Sequence, residues 1–436
     1  MATGMWRLLC CMTLLFTAVA SQANTSSSDW VKNYLDTLSQ AKKANTILPS
    51  QLVFQFKHLE FEWPCEYVKE FYQEKGLYDP LENVLAGIDV YNNDTFVTVY
   101  RTSEKVSSGS NKLVVNNGMT SLQPFPNLTM NQAGKCSNLQ FPIKSITDPN
   151  SGCMYIIDIG SVKKMGNSSE QTSTSGNTTQ PCPPKLVVLD LKKNGTIVRS
   201  HDLAAAEPRS TSYLKDITLD YGDRNNTQVK HAYITDSGNQ LLIVFNFDTN
   251  TSHSFAHDSM KSAAQQTATS GSKNAINSIT VDSEFKFVYY NCLGSQKISQ
   301  IPTAVLQDSL GDFATKHRYV GNTTVASGSV VCGKKGLYFA SVNTSSVYRW
   351  NITQDIEVQN ATKETVTMKN QTVIFKNGTG DYNIEGLALD SSGYLWLTQS
   401  PFILDSNNTK GINFKIYRLS VNDTNILCPD SVAPPT

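Results

Sequence analysis

Ile217-Thr218-Leu219-Asp220, then Ala232–Thr235, then Leu241–Val244: an apolar stretch ending in aspartate, a turn, and two more apolar or β-branched stretches. The same succession opens again at Gly87-Ile88-Asp89-Val90, at Ile143 to Asp148, at Ile279-Thr280-Val281-Asp282, at Ser329-Val330-Val331-Cys332 and at Leu387-Ala388-Leu389-Asp390. Second stretches follow at 96–99, 154–157, 287–290, 337–340 and 395–397, and third stretches at 113–115, 186–189, 298–301, 347–350 and 416–419. Units of roughly 50–70 residues, each with three or more short strands, match radial repetition of small antiparallel sheets. Six units predict an all-β chain, a six-bladed β-propeller. Ahead of the first unit, Leu52, Phe54 and Phe56 alternate with polar residues as a half-buried strand does. The stretch 51–61 is therefore expected to close the ring by completing the last blade.

Outside that ring the chain changes character. Arg7 precedes an apolar run from Leu8 to Val19, and Ala18-Val19-Ala20 offers a small-x-small cleavage site, with Ser21-Gln22-Ala23 as an alternative. This reads as a secretory signal peptide, too short to stay as a membrane span. The division is a signal peptide at 1–20, an N-terminal extension at 21–50, the propeller at 51–428 and a polar C-terminal tail at 429–436. In the extension, Asp29 caps an expected short helix carrying Trp30, Tyr34, Leu35 and Leu38. The polar segments 166–180 and 259–273 read as loops. A secreted, extracellular protein without a membrane anchor is expected.

Composition supports that compartment. Formal net charge is zero and charged residues make up 17%, below the ~25% usual for soluble proteins. No basic field exists to hold nucleic acid. Polarity comes instead from Ser, Thr and Asn, with Asn-x-Ser/Thr triplets at Asn24, Asn93, Asn127, Asn167, Asn177, Asn194, Asn225, Asn250, Asn322, Asn343, Asn351, Asn360, Asn370, Asn377, Asn407 and Asn422. Behind a signal peptide, so many triplets predict heavy N-glycosylation. Seven cysteines remain after the signal: Cys65, Cys136, Cys153, Cys182, Cys292, Cys332 and Cys428. An odd number leaves at least one thiol free or shared between chains.

Several phrases, taken in order, carry a family resemblance. Phe61-Glu62-Trp63-Pro64 precedes Tyr78-Asp79-Pro80, Asp89-Val90-Tyr91 and Thr95-Phe96-Val97-Thr98-Val99. Then come Leu122-Gln123-Pro124-Phe125-Pro126, Cys136, the stretch 154–160, Cys182-Pro183-Pro184-Lys185-Leu186, the stretches 232–238 and 336–342, Trp350-Asn351 and the stretch 385–396. In that order and spacing, from about residue 52 to 420, the chain resembles the major royal jelly/Yellow family. The resemblance implies a secreted six-bladed propeller and a Cys136–Cys182 disulfide. Two further pairs, Cys292 with Cys332 and Cys65 with Cys428, stay open. The chain also departs from the pattern: Val99-Tyr100-Arg101 stands where the family has Val-Pro-Arg, and Arg349 replaces the cysteine of a Cys-Trp-Asn phrase.

In such a ring the innermost strands line a channel, and the site lies at a mouth. Polar residues at the starts of the opening stretches are Lys144, Asp216, Asn277, Ser278, Ser329, Asn383 and Glu385, and Asp158 and Asp236 follow the second stretches in Asp-x-Gly phrases. For Asp158 and Asp236 the first reading is structural, a carboxylate accepting backbone N–H bonds in a tight turn, and the second is ligand binding. Asp148, Asp220, Asp282 and Asp390 read as turn formers. Asn277, Tyr289, Asn383 and Glu385 are the candidate ligand-binding residues, with Asp158 and Asp236 beside them. His253 and His257 share an HxxxH spacing but sit in strand-edge sequence, so no metal ligation is expected. No nucleophile elbow, phosphate-binding glycine loop or cofactor motif occurs, and no catalytic residue or cofactor is assigned.

The resemblance implies a small aromatic or biogenic-amine ligand in the channel, where a carboxylate meets an ammonium and aromatic walls meet a ring. Two alternatives stand behind it, a dopachrome-converting enzyme of pigmentation and a structural or nutritional glycoprotein. The phrase Asn383-Ile384-Glu385-Gly386 is similar to calcium-binding phrases of other six-bladed propellers, a reading that the family resemblance disfavours. Oligomeric state is not legible.

Overall fold

The second stretch of each unit is apolar without alternation because both of its faces are packed; Phe287–Cys292, for example, is buried at every position. A strand in the middle of a blade has a neighbouring blade on each side, so neither face meets water. The computed structural model describes residues 47–161, 182–261, 275–377, 382–401 and 413–429. The signal peptide, the extension with its expected helix, nearly all of the C-terminal tail and the sequons Asn24, Asn167, Asn177 and Asn407 lie outside the described residues.

The chain enters through β1 (Ser50–Phe56). Blade 1 is β2 (Leu85–Tyr91), β3 (Asp94–Val99), β4 (Ser110–Asn116) and β5 (Met119–Pro124). Blade 2 is β6 (Pro142–Asp148), β7 (Cys153–Asp158), β8 (Lys185–Asp190) and β9 (Thr196–Asp202). Blade 3 is β10 (Leu214–Asp220), β11 (His231–Asp236), β12 (Leu241–Asn246) and β13 (Thr251–Ala256). Blade 4 is β14 (Ile276–Val281), β15 (Phe287–Cys292), β16 (Lys297–Pro302) and β17 (Arg318–Asn322). Blade 5 is β18 (Ser327–Cys332), β19 (Leu337–Ser341), β20 (Ser346–Trp350) and β21 (Gln371–Lys376). Blade 6 is β22 (Tyr382–Leu389), β23 (Tyr394–Pro401) and β24 (Phe414–Ser420), and β1 completes it by pairing antiparallel with β24.

All six sheets are antiparallel and four-stranded. The opening stretches are the innermost strands, and each touches the next around the ring: β2, β6, β10, β14, β18, β22 and back to β2. Burial falls from the axis outward, and β9 is exposed at nearly every position. The closing strand is the one expected from its alternation, but it stops at Phe56 rather than 61. Beyond it the chain crosses to the outer edge of blade 1, where Phe61 bridges Leu122 and Glu62 N–H donates to the Leu122 carbonyl at 2.8 Å. Blade 6 and blade 1 are thus tied by one continuous segment.

Two local devices recur. At the far end of the inner strands the aspartates close turns: Asp148 accepts from Asn150 N–H (2.9 Å), Asp282 from Lys286 N–H (2.8 Å) and Asp390 from Ser392 N–H (2.8 Å). Asp220 does the same with Gly222 N–H (2.5 Å), so all four are turn formers. At the near end every inner strand carries a β-bulge, at Leu85/Gly87, Pro142/Lys144, Leu214/Asp216, Ile276/Ile279, Ser327/Val330 and Ile384/Leu387. A bulge re-aims a side chain, and here six of them form a ring around one channel mouth.

The other mouth is covered. Asn425 bridges Gly333 and donates its N–H to the Asp390 carbonyl (3.1 Å), while Asn150 Nδ2 donates to the Leu427 carbonyl (3.1 Å). A segment that touches blades 2, 5 and 6 at one face lies across the axis. Ile426 and Leu427 bury into the same core cluster as Tyr221 and Phe285. They roof a cavity of about 300 Å³.

Cys136 and Cys182 are joined, with Cα atoms 5.2 Å apart. The other two pairs left open are not formed, and Cys65, Cys153, Cys292, Cys332 and Cys428 are free thiols. Topology gives the reason. Cys292 pairs with Ile276 at the bulged end of its blade, whereas Cys332 ends an inner strand at the turn face. Cys65 is exposed beside blade 1, and Cys428 lies buried under the axis.

Candidate functional site

The bulged mouth gathers polar side chains from four blades. Lys215 occupies the bulge of β10, Glu385 that of β22, and Lys144 follows the bulge of β6. Tyr100 leaves β3 with its N–H bonded to the Val84 carbonyl (2.8 Å). Its hydroxyl donates to Glu385 Oε2 (3.1 Å) and accepts from Lys215 Nζ (2.9 Å). A blade 3 ammonium, a blade 1 phenol and a blade 6 carboxylate are thereby linked across the opening. Lys215 Nζ lies 5.0 Å from the Tyr100 ring centroid and 5.9 Å from that of Tyr213. With the hydroxyl at 2.9 Å, the ammonium sits at the phenol's rim rather than over its face. All of these side chains are half-buried.

Asn383 stands next to Glu385 on β22 and donates its Nδ2 to Oε1. Its Oδ1 is shielded from solvent and has no hydrogen-bond partner among the described residues. A buried amide oxygen without a donor is costly. Burial and the Glu385 carboxylate raise the pKa of Tyr100 well above that of a free phenol, so Tyr100 remains a donor to Glu385. Burial pushes Tyr213 up to about 12, with Lys215 acting the other way.

One layer deeper, Asp89 and Asp216 are buried and their pKa values are raised by desolvation, which the Lys144 ammonium opposes in both. Lys144 reaches blade 6, with Nζ 3.4 Å from the Leu387 carbonyl. Its stem passes over Gly87, where a Cβ would lie 3.2 Å from Lys144 Cδ and 2.9 Å from Thr98 Oγ1. Ser278 Oγ donates to Asp216, and Ser329 Oγ donates to the Glu385 carbonyl (2.7 Å), stitching adjacent blades.

The six residues singled out for ligand binding separate into two groups. Glu385 and Asn383 are at the mouth and in contact. Asn277 lies on the β14 bulge but is buried, and its Nδ2 donates to the Gly328 carbonyl (3.3 Å) of blade 5. Tyr289 does not reach the channel: it is fully buried, accepts from Gln300 Nε2 (2.9 Å) and packs edge-on against Trp350.

Asp158 and Asp236 take the structural role that was the first reading of each. Asp158 accepts from the N–H groups of Gln140 (2.6 Å), Phe141 (2.8 Å) and Gly160 (2.8 Å). Asp236 accepts from Tyr213 N–H (2.8 Å) and Asn239 N–H (3.1 Å). The Phe141 ring meets the Tyr213 ring edge-on at 6.2 Å. Asp236 therefore holds the backbone at Tyr213, whose ring lies beside Lys215, while Asp158 holds that of the core residue Phe141. Among the described residues no three His, Cys, Asp or Glu side chains gather as a metal site requires.

Residues 169–428 match the family described as "Major royal jelly protein". The chain is 24% identical over 424 residues to major royal jelly protein 9 of Apis mellifera, covering 90% of this chain and 94% of that protein. It is 28% identical over 219 residues to protein yellow of Drosophila guanche, covering 48% of this chain and 36% of that protein. Among solved structures, a luciferin-regenerating enzyme superposes with a TM-score of 0.44 at 11% identity, over 78% of this chain and 93% of that one.

Proposed function

The chain belongs to the major royal jelly protein family, and on that premise we propose that it is a secreted glycoprotein whose propeller binds a small aromatic ligand bearing an ammonium group. The seat is the bulged mouth. The observation that carries this reading is the half-buried Glu385 carboxylate at the mouth, held by Asn383 Nδ2 and the Tyr100 hydroxyl, with the Tyr100 and Tyr213 rings beside Lys215. An ammonium has three N–H donors and is attracted to a carboxylate, an amide oxygen and the electron-rich faces of phenols. The C-terminal segment lying across the opposite mouth supports entry from the bulged end.

Calorimetric titration with serotonin, dopamine and histamine tests this, with dopachrome absorbance followed in parallel. Saturable binding is expected, weakened roughly 10- to 100-fold by Glu385→Gln, since a hydrogen bond to a charged group contributes about 1.5–3 kcal/mol. Equal affinity of wild type and variant would remove Glu385 from the site. Protein-dependent dopachrome loss would replace a carrier by a pigment-pathway enzyme, and silence with every amine would leave a structural or nutritional glycoprotein.

The surface supports passage through a glycosylating compartment. Asn93, Asn127, Asn194, Asn225, Asn250, Asn322, Asn343, Asn360 and Asn422 are exposed. Asn194, Asn250, Asn360 and Asn422 adopt left-handed φ values of 48–56°, so turn geometry alone accounts for asparagine at those positions. Asn93, Asn225, Asn322 and Asn343 have no such explanation. Asn377 instead donates Nδ2 to the Tyr417 hydroxyl (2.6 Å). Peptide mapping of protein secreted from a eukaryotic host is expected to show glycan at Asn93, Asn225 and Asn343 and none at Asn377. Unmodified asparagine at all three exposed sites would contradict the secretory reading.

A further inference from the structure

We infer that the preferred ligand carries a carboxylate beside its ammonium, an aromatic α-amino acid rather than the decarboxylated amine; this rests on the ligand-binding reading above. The inference comes from the charge that the mouth already holds. Glu385 is the carboxylate of the opening, but Lys215 is linked to it through one phenol, with Nζ 2.9 Å from the Tyr100 hydroxyl and that hydroxyl 3.1 Å from Oε2.

A ligand bearing only an ammonium adds a second cation beside Lys215. Like charges at such short range oppose binding, more strongly in a half-buried site than in water. A zwitterion reverses the sign of that term. Its ammonium goes to Glu385, which Asn383 Nδ2 and the Tyr100 hydroxyl hold in place, and its carboxylate goes to Lys215.

Lys215 has the capacity for this. An ammonium carries three N–H donors, and the polar partner of Lys215 among the described residues is the Tyr100 hydroxyl alone. Neither deeper carboxylate is bonded to it: Asp89 accepts from Thr147 Oγ1 (2.6 Å) and Val90 N–H (2.9 Å). Asp216 is occupied by Ser278 Oγ and by the N–H groups of Ile217 (2.9 Å) and Ile279 (3.1 Å). The Tyr213 ring, edge-on to Phe141, supplies the aromatic wall next to Lys215. The mouth therefore presents a carboxylate, an ammonium and a ring, the three groups that an amino acid with an aromatic side chain complements.

The test is a matched titration of the full glycosylated protein with L-tyrosine, tyramine and L-tyrosine methyl ester. Tyrosine is expected to bind at least about tenfold more tightly than tyramine or the ester, since one charge-assisted contact separates them. Lys215→Met is expected to erase that ratio by weakening tyrosine while leaving tyramine at least as tight, with an unchanged melting temperature as the control for folding. Should Lys215→Met fail to fold, Lys215→Gln and the wild-type ratio decide the matter. Tyramine binding as tightly as tyrosine to wild type, or an unchanged ratio in the variant, would overturn the zwitterion inference and leave the binding reading standing. No binding of any of the three would overturn both.

Discussion

Asp158→Ala is expected to lower stability by about 3–5 kcal/mol, the usual loss when one member of a buried ion pair is removed. Asp158 is fully buried and Lys185 nearly so, with side-chain exposures of 0% and 3%, and the two are 3.8 Å apart. Lys185 Nζ donates to the Cys136 and Asn138 carbonyls, while Asp158 collects three backbone N–H groups. Burial lowers the pKa of Lys185 and the Asp158 charge resists that shift. Removing the carboxylate therefore strands a cation and three donors together. The double variant with Lys185→Met is expected to recover part of the loss, because no unpaired charge then remains inside. Denaturant midpoints measure both. A loss below about 1 kcal/mol for the single change would mean that Asp158 is not structural.

Arg101→Ala is expected to cost about 2–4 kcal/mol, from buried carbonyls that lose their donor. The guanidinium is 3% exposed and donates to the carbonyls of Asn131 (2.7 Å), Gln140 (3.1 Å), Ser107 (3.2 Å) and Leu139 (3.4 Å). Burial lowers its pKa to about 10, still well above physiological pH. Arg101→Lys is expected to rescue little, since a point-like ammonium does not span acceptors that a planar fork reaches. Because Arg101 directly follows Tyr100 and is itself anchored by these bonds, affinity at the mouth is expected to fall along with stability. An Arg101→Lys protein with wild-type stability would show that the fork geometry does not matter.

Most of the architecture is legible in the chain because a propeller repeats one local pattern. Each blade packs its middle strands on both sides, so apolar runs of four to six residues recur at a regular interval and announce themselves. The closing strand is legible too, from the alternation of Leu52, Phe54 and Phe56. The candidate site is legible only in part. Glu385 and Asn383 sit on one strand and are found together, but Tyr100 and Lys215 reach them from blades that lie far off in sequence.

The bulges are the missing signal. They decide which residue at the start of an inner strand turns toward the axis, and neither periodicity nor composition marks them. Tyr289 shows the opposite failure, an aromatic residue in a middle strand whose packing on Trp350 depends on a blade not yet folded in the one-dimensional reading. A usable clue to Tyr100 was present, since it stands where the family phrase has proline.

The most direct measurement is a crystal structure of the protein with whichever of tyrosine and tyramine binds more tightly. Ligand density at the bulged mouth is predicted, with its ammonium against Glu385 and its ring beside Tyr213. Density in the cavity under Ile426 and Leu427 instead, with the mouth empty, would contradict the account.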